Sequence, residues 1–111
     1  METRLGKIEA VSFGLGGYQS SMLGISFTLG DGSWGVSDFK GYWDVSQIKR
    51  CEYTQWTEED RSKSYDETMR YVSNLLDKAK VDNIGKLKDK PIEATFNGNT
   101  LKEWRILTEV L

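Results

Sequence analysis

At 111 residues, with 38% apolar and 29% charged residues, the chain suits a single compact domain with a modest core. A net charge of −2 lacks the positive excess with which a duplex-binding protein neutralises phosphates, so no specific DNA binding is expected. The absence of histidine, with one cysteine, excludes Ser-His-Asp and Cys-His nucleophilic systems and the usual zinc sites.

A lone Cys51 cannot form an intrachain disulfide and fits a reducing compartment. The first residues, METRLGKIEAVSF, hold no long apolar run, and no stretch approaches a membrane span. The expectation is therefore a soluble cytoplasmic protein with no membrane contact, cofactor or metal. Four Trp, five Tyr and four Phe are many for this length. Each buries a large area, which helps a small core, and some could instead form a binding surface.

In chain order, residues from about Leu5 to Trp43 read as a strand meander. In LGKIEAVSFG, simple alternation places Lys7, Glu9, Val11 and Phe13 on one face, with Ile8, Ala10 and Ser12 on the other. MLGISFTLG alternates Leu23, Ile25, Phe27 and Leu29 against Gly24, Ser26 and Thr28, the signature of a half-buried strand. Leu29-Gly30-Asp31-Gly32 reads as a turn, since Asp-Gly tolerates the required backbone conformation. A third strand, SWGVSDFKGYW, sets Trp34, Val36 and Asp38 opposite Gly35, Ser37 and Phe39.

The stretch 44–56 reads equally as strand or loop. A helix is predicted from about 57 to 80, with a break near Ser62–Ser64 as an alternative. Thr57 is its cap, Glu58, Glu59 and Asp60 suit its positive end, and Tyr65, Met69, Val72, Leu76 and Ala79 form its apolar stripe. VDNIGKLKDKP reads as a turn or short helix. Ile92, Ala94 and Phe96 alternate with Glu93 and Thr95, and Asn97-Gly98-Asn99 makes a hairpin turn. In LKEWRILTEVL, Trp104, Ile106, Thr108 and Val110 oppose Leu107 and Leu111, as in a strand that is central or lies at a subunit contact. The fold class is α+β: an N-terminal β-meander and a C-terminal hairpin in a mostly antiparallel sheet, with one main helix packed on it.

The stretch Phe13–Gln19, FGLGGYQ, is the first candidate site. It lacks the third glycine and following helix of a dinucleotide loop, and the Lys-Ser/Thr of a P-loop. Two readings remain: a turn or bulge that needs glycine, or bare backbone at Gly16 and Gly17 meeting a ligand, with Tyr18 stacking and Gln19 hydrogen-bonding. The aromatic set Trp34, Phe39, Tyr42, Trp43, Tyr53 and Trp56 reads as core packing, or as a stacking or anchoring surface. Arg105, inside an apolar strand, needs a carboxylate, a ligand or solvent, and Asp38 is its mirror image and candidate partner. Lys49, Arg50, Lys86, Lys88 and Lys90 read as solvated surface or phosphate contacts. The acidic run at Glu58–Asp60 is explained by helix capping, and Cys51 without a histidine partner reads as filler.

Phe13–Gln19, Gly24–Gly30, Trp34–Phe39 and the tail Trp104–Leu111, WRILTEVL, together resemble a group of short bacteriophage and prophage proteins, over most of the chain. No catalytic motif carries over from that group. The resemblance implies an accessory protein acting in the cytoplasm of an infected bacterium, where such proteins counter host defence. Two mechanisms, neither enzymatic, follow as expectations. The first is sequestration of a small nucleotide signal among Gly16, Gly17, Tyr18, Gln19, Trp34, Asp38, Tyr42, Trp43 and Arg105, favoured by a homo-oligomer. The second is occlusion of a host defence protein through exposed aromatics.

Overall fold

The computed structural model describes residues 1–16, 22–43 and 58–111. Its elements are β1 (Glu2–Gly16), β2 (Met22–Gly30), β3 (Gly35–Trp43), α1 (Glu58–Ala79), a 3-10 turn over Ile84–Leu87, β4 (Pro91–Asn97) and β5 (Thr100–Ile106). The five strands form one antiparallel sheet in the order β3-β2-β1-β4-β5, with α1 packed against it. This is the α+β arrangement the periodicity predicts.

β1 is the hinge of the architecture. Residues 2–7 pair with β4, whereas residues 7–16 pair with β2. The β1–β2 register slips between Ile8 and Ala10, leaving Glu9 as an extra residue. Such a bulge bends the strand and increases its twist. It also corrects the uniform alternation expected for this strand. Ile8, opposite Leu29, shares its face with Val11 and Phe13, opposite Phe27 and Ile25. A two-residue period cannot register an inserted residue; only the pairing reveals it.

The bend coils the sheet. In a flat sheet, β3 and β5 would lie about 19 Å apart across four strand spacings. Here Asp38 of β3 accepts a 2.6 Å hydrogen bond from the indole Nε1 of Trp104 in β5. The Trp104 ring also meets Phe27 of β2 edge-on, with centroids 4.9 Å apart. α1 packs against β3 and β5, spanning the concave mouth.

The enclosed core consists of Ile8, Ile25, Phe27, Leu29, Leu75, Ala79, Leu87, Ile92, Ala94, Phe96 and Ile106. Each large side chain buried here contributes roughly 1.5–3 kcal/mol. Trp34 closes one end against Phe96, with centroids 5.4 Å apart at 87°. α1 runs unbroken through Ser62–Ser64. Of the expected stripe, Ala79 is buried, Val72 and Leu76 pack against the core and Tyr65 meets Tyr42, whereas Met69 is 49% exposed and Thr68 and Leu75 are buried beside the stripe.

Two further expectations change. β5 ends at Ile106 and a 3-10 turn over Thr108–Val110 follows, so Val110 is exposed and does not continue the strand face. β5 is also an edge strand. Of the two positions expected for this apolar tail, central or at a subunit contact, the strand order rules out the central one; Trp104 and Ile106 lie on the inner face, while Lys102, Glu103 and Arg105 are exposed. Thr57, the expected helix cap, and the 44–56 stretch lie outside the described residues.

Candidate interaction edge

The described members of the expected ligand site occupy separate parts of the sheet. Trp34 is partly buried and packs against the core at Phe96. Tyr42 lies on the inner face against Tyr65 of α1, with centroids 4.1 Å apart. Asp38 receives the Trp104 indole, and Arg105 bonds to Glu93 at 3.3 Å and Glu109 at 3.1 Å. The expected Asp38–Arg105 pair is thus replaced by two separate sets of partners. Neighbouring strand positions point to opposite faces, so Trp104 turns inward to Asp38 while Arg105 turns outward. Glu109 first, then Glu93, raises the Arg105 pKa further above its ordinary value. Gly17, Tyr18, Gln19, Cys51, Tyr53 and Trp56 lie outside the described residues, as does the side chain of Trp43.

The glycine-rich end has a local explanation. Gly14, Gly24 and Gly41 are aligned across β1, β2 and β3. A Cβ on Gly24 would fall 2.2 Å from the Lys40 carbonyl oxygen, and one on Gly41 would fall 2.4 Å from that of Leu23. These strands approach too closely for side chains there. The Phe39 ring lies 3.1 Å from the position a Gly16 Cβ would take, and 2.7 Å from that of Gly41. An aromatic side chain thereby covers bare glycine backbone on the outer face. The described surface depressions near candidate residues are open. One of about 240 Å³ is lined by Glu93, Thr95, Glu103, Trp104 and Arg105, and its Arg105 and Glu93 are already paired across the strands. Another, lined by Ser26, Thr28, Ser37 and Phe39 among others, lies over the outer face of β2 and β3.

What the sequence does not disclose is a stretch of β1 that, among the described residues, is paired on one side only. Beyond Ile8, no described strand pairs with the side of β1 opposite β2. Ile8 itself faces that side, since its N–H donates to the Lys90 carbonyl at 3.0 Å and its carbonyl accepts from the Asp89 N–H at 2.7 Å. Carrying the alternation of an antiparallel ladder past the extra Glu9, the residues that turn both backbone groups to the open side are Val11, Phe13 and Leu15. Phe13 is 41% and Leu15 52% exposed.

The composition of this edge is unusual. Ala10–Gly16 contains no charge and no proline. The other two edges carry charges: Asp38 and Lys40 on β3, and Lys102, Glu103 and Arg105 on β5. Charges and prolines are the common means of preventing a strand edge from pairing with another chain. This part of β1 has neither, and it presents two exposed apolar side chains beside backbone groups that pair with no described strand.

Among the described residues, no cluster of carboxylates or thiols is arranged to hold a metal ion, and no helix is long and apolar enough to cross a membrane. No family model, curated protein or solved structure matches this chain.

Proposed function

We propose that this protein is a non-enzymatic interaction module that docks an extended segment of a partner protein against the open edge of β1. The partner would be a host protein, occluded by the contact, in keeping with the phage resemblance of the sequence. The observation that carries this reading is the uncharged stretch Val11–Leu15, paired with β2 on one side and with no described strand on the other, with Phe13 and Leu15 exposed beside it. Strand addition needs a row of free backbone groups for affinity and alternate side chains for selectivity. This edge supplies both and requires no catalytic group.

A second reading, sequestration of a nucleotide signal, draws on one observation. The Arg61 guanidinium lies 4.9 Å over the Tyr65 ring, which in turn meets Tyr42, so cationic and stacking groups adjoin. Against a phosphate there stands the first turn of α1, Glu58, Glu59 and Asp60. Their charges oppose the attraction a helix N-terminus has for anions.

The test is capture from bacterial lysate on the immobilised full chain, beside a Phe13→Glu/Leu15→Glu variant. A specific host protein retained by the first and lost by the second supports the docking reading. Equal retention by both sinks it. In parallel, a panel of cyclic and NAD-derived nucleotides is scored for thermal stabilisation and for intact ligand after denaturation. Stabilisation with intact ligand would move the assignment to sequestration.

A further inference from the structure

We infer that the open stretch of β1 also pairs with itself: two copies join antiparallel about a two-fold axis at Phe13. This rests on the same edge as the docking reading, and it adds a form of regulation, because the dimer and a docked partner would compete for the edge.

The register follows from which backbone groups no described strand engages. Val11, Phe13 and Leu15 turn outward, so a second strand must offer outward residues opposite each of them. A two-fold axis through Phe13 does this, setting Phe13 against its own copy and Val11 against Leu15 of the second copy. Centring on Ser12 would set Leu15 against the charged, bulged Glu9 of the other chain. Centring on Gly14 would carry Val11 past the end of β1 at Gly16. Only the Phe13 axis pairs all three within the uncharged stretch.

The side chains agree with that register. Val11, Phe13 and Leu15 lie on the inner face, opposite Phe27, Ile25 and Leu23 of β2. Across the axis they would form one apolar row with their symmetry mates. On the outer face Ser12 would meet Gly14, so no bulky or charged pair opposes the contact. An antiparallel pairing of identical strands is isologous and closes on itself, so it ends at a dimer. The sheet would run continuously from β3 of one copy to β3 of the other.

Sedimentation equilibrium of the full chain over a wide concentration range tests this. The expected result is a reversible dimer, with Phe13→Glu weakening association by about 100-fold or more, since two carboxylates would face each other at the axis. Because Phe13 is 41% exposed, the variant should keep the far-ultraviolet circular dichroism of the parent, and its melting curve at dilutions where both are monomeric. The register is read by oxidative cross-linking in a Cys51→Ser background. Phe13→Cys should cross-link, and Leu5→Cys, exposed on the part of β1 already paired with β4, should not. A chain that stays monomeric throughout, or a Phe13→Glu variant that still dimerises, overturns the inference. A monomeric parent that nevertheless captures a host protein through Phe13 would overturn the dimer alone and leave the docking reading standing. A dimer with no host partner would do the reverse.

Discussion

Replacing Asp38 by alanine isolates the contact that holds the coiled sheet closed. The carboxylate accepts the Trp104 indole N–H at 2.6 Å, joining strands at opposite edges of the sheet, and both groups are partly buried. Alanine removes the acceptor of this part-buried indole N–H, whose ring packs on Phe27. An unmet buried donor costs about 1–3 kcal/mol. For a domain of this size, each kcal/mol corresponds to a melting shift of about 4–8 °C. Urea denaturation should therefore show a lower midpoint with an unchanged slope. Asp38→Asn keeps an acceptor oxygen and should recover part of the loss. In a double-mutant cycle with Trp104→Phe, the two losses should overlap, leaving a coupling of about 1 kcal/mol or more. Additive losses, or an Asp38→Ala variant as stable as the parent, would refute the reasoning, because the hydrogen bond would then contribute nothing to closure.

Three other outcomes are expected. Gly24→Ala should destabilise the fold by about 1–3 kcal/mol in urea melts, because its Cβ would fall 2.2 Å from the Lys40 carbonyl oxygen and backbone must move. Gly14→Ala, where an added Cβ meets nothing within 4 Å, should be far milder, and equal effects would remove the close-approach explanation. Leu29→Ala, at a fully buried site, should cost about 2–5 kcal/mol by the same assay. Burial, and then the neighbouring Asp38 carboxylate, push the Tyr71 hydroxyl up to about 12 from 10.0. A pKa raised on folding means that the unfolded chain loses its proton first. The associated stability is complete below about pH 10 and disappears as pH rises toward about 12. Tyr71→Phe should flatten that alkaline decline in a pH series of melting temperatures, and an unchanged decline would assign it to other groups.

Much of the fold was legible because several local signals agreed. Leu23, Ile25, Phe27 and Leu29 alternate without interruption, and Asp-Gly and Asn-Gly mark turns where Gly32 and Gly98 have positive φ. Asp31 reinforces the first turn by accepting from the Ser33 N–H and hydroxyl and from the Trp34 N–H. The Ser33 bonds lower its pKa most. The bulge at Glu9 was not legible, since an extra residue leaves no mark on composition and is defined only by its partner strand. That one residue decides which of Val11, Phe13 and Leu15 face inward and which side of β1 their backbone groups serve. Arg105 and Asp38 read as charges that need partners, and Glu93 with Glu109, and the Trp104 indole, supply them. Their partners depend on strand order and coiling, which no local pattern encodes. The one-sided pairing of β1 is hidden for the same reason: in FGLGGYQ the outward-turned backbone belongs to Phe13 and Leu15, which alternate with the glycines, and to Val11 before them.

Amide hydrogen exchange, followed residue by residue on the dilute full chain, addresses the open edge most directly. Val11, Phe13 and Leu15 should exchange rapidly, while Ser12 and Gly14, whose amides turn toward β2, should be protected. At concentrations that favour association, or with a captured partner, the first three should become protected as well. Slow exchange at Val11, Phe13 and Leu15 in the dilute monomer would contradict the account, because the edge on which docking depends would already be covered.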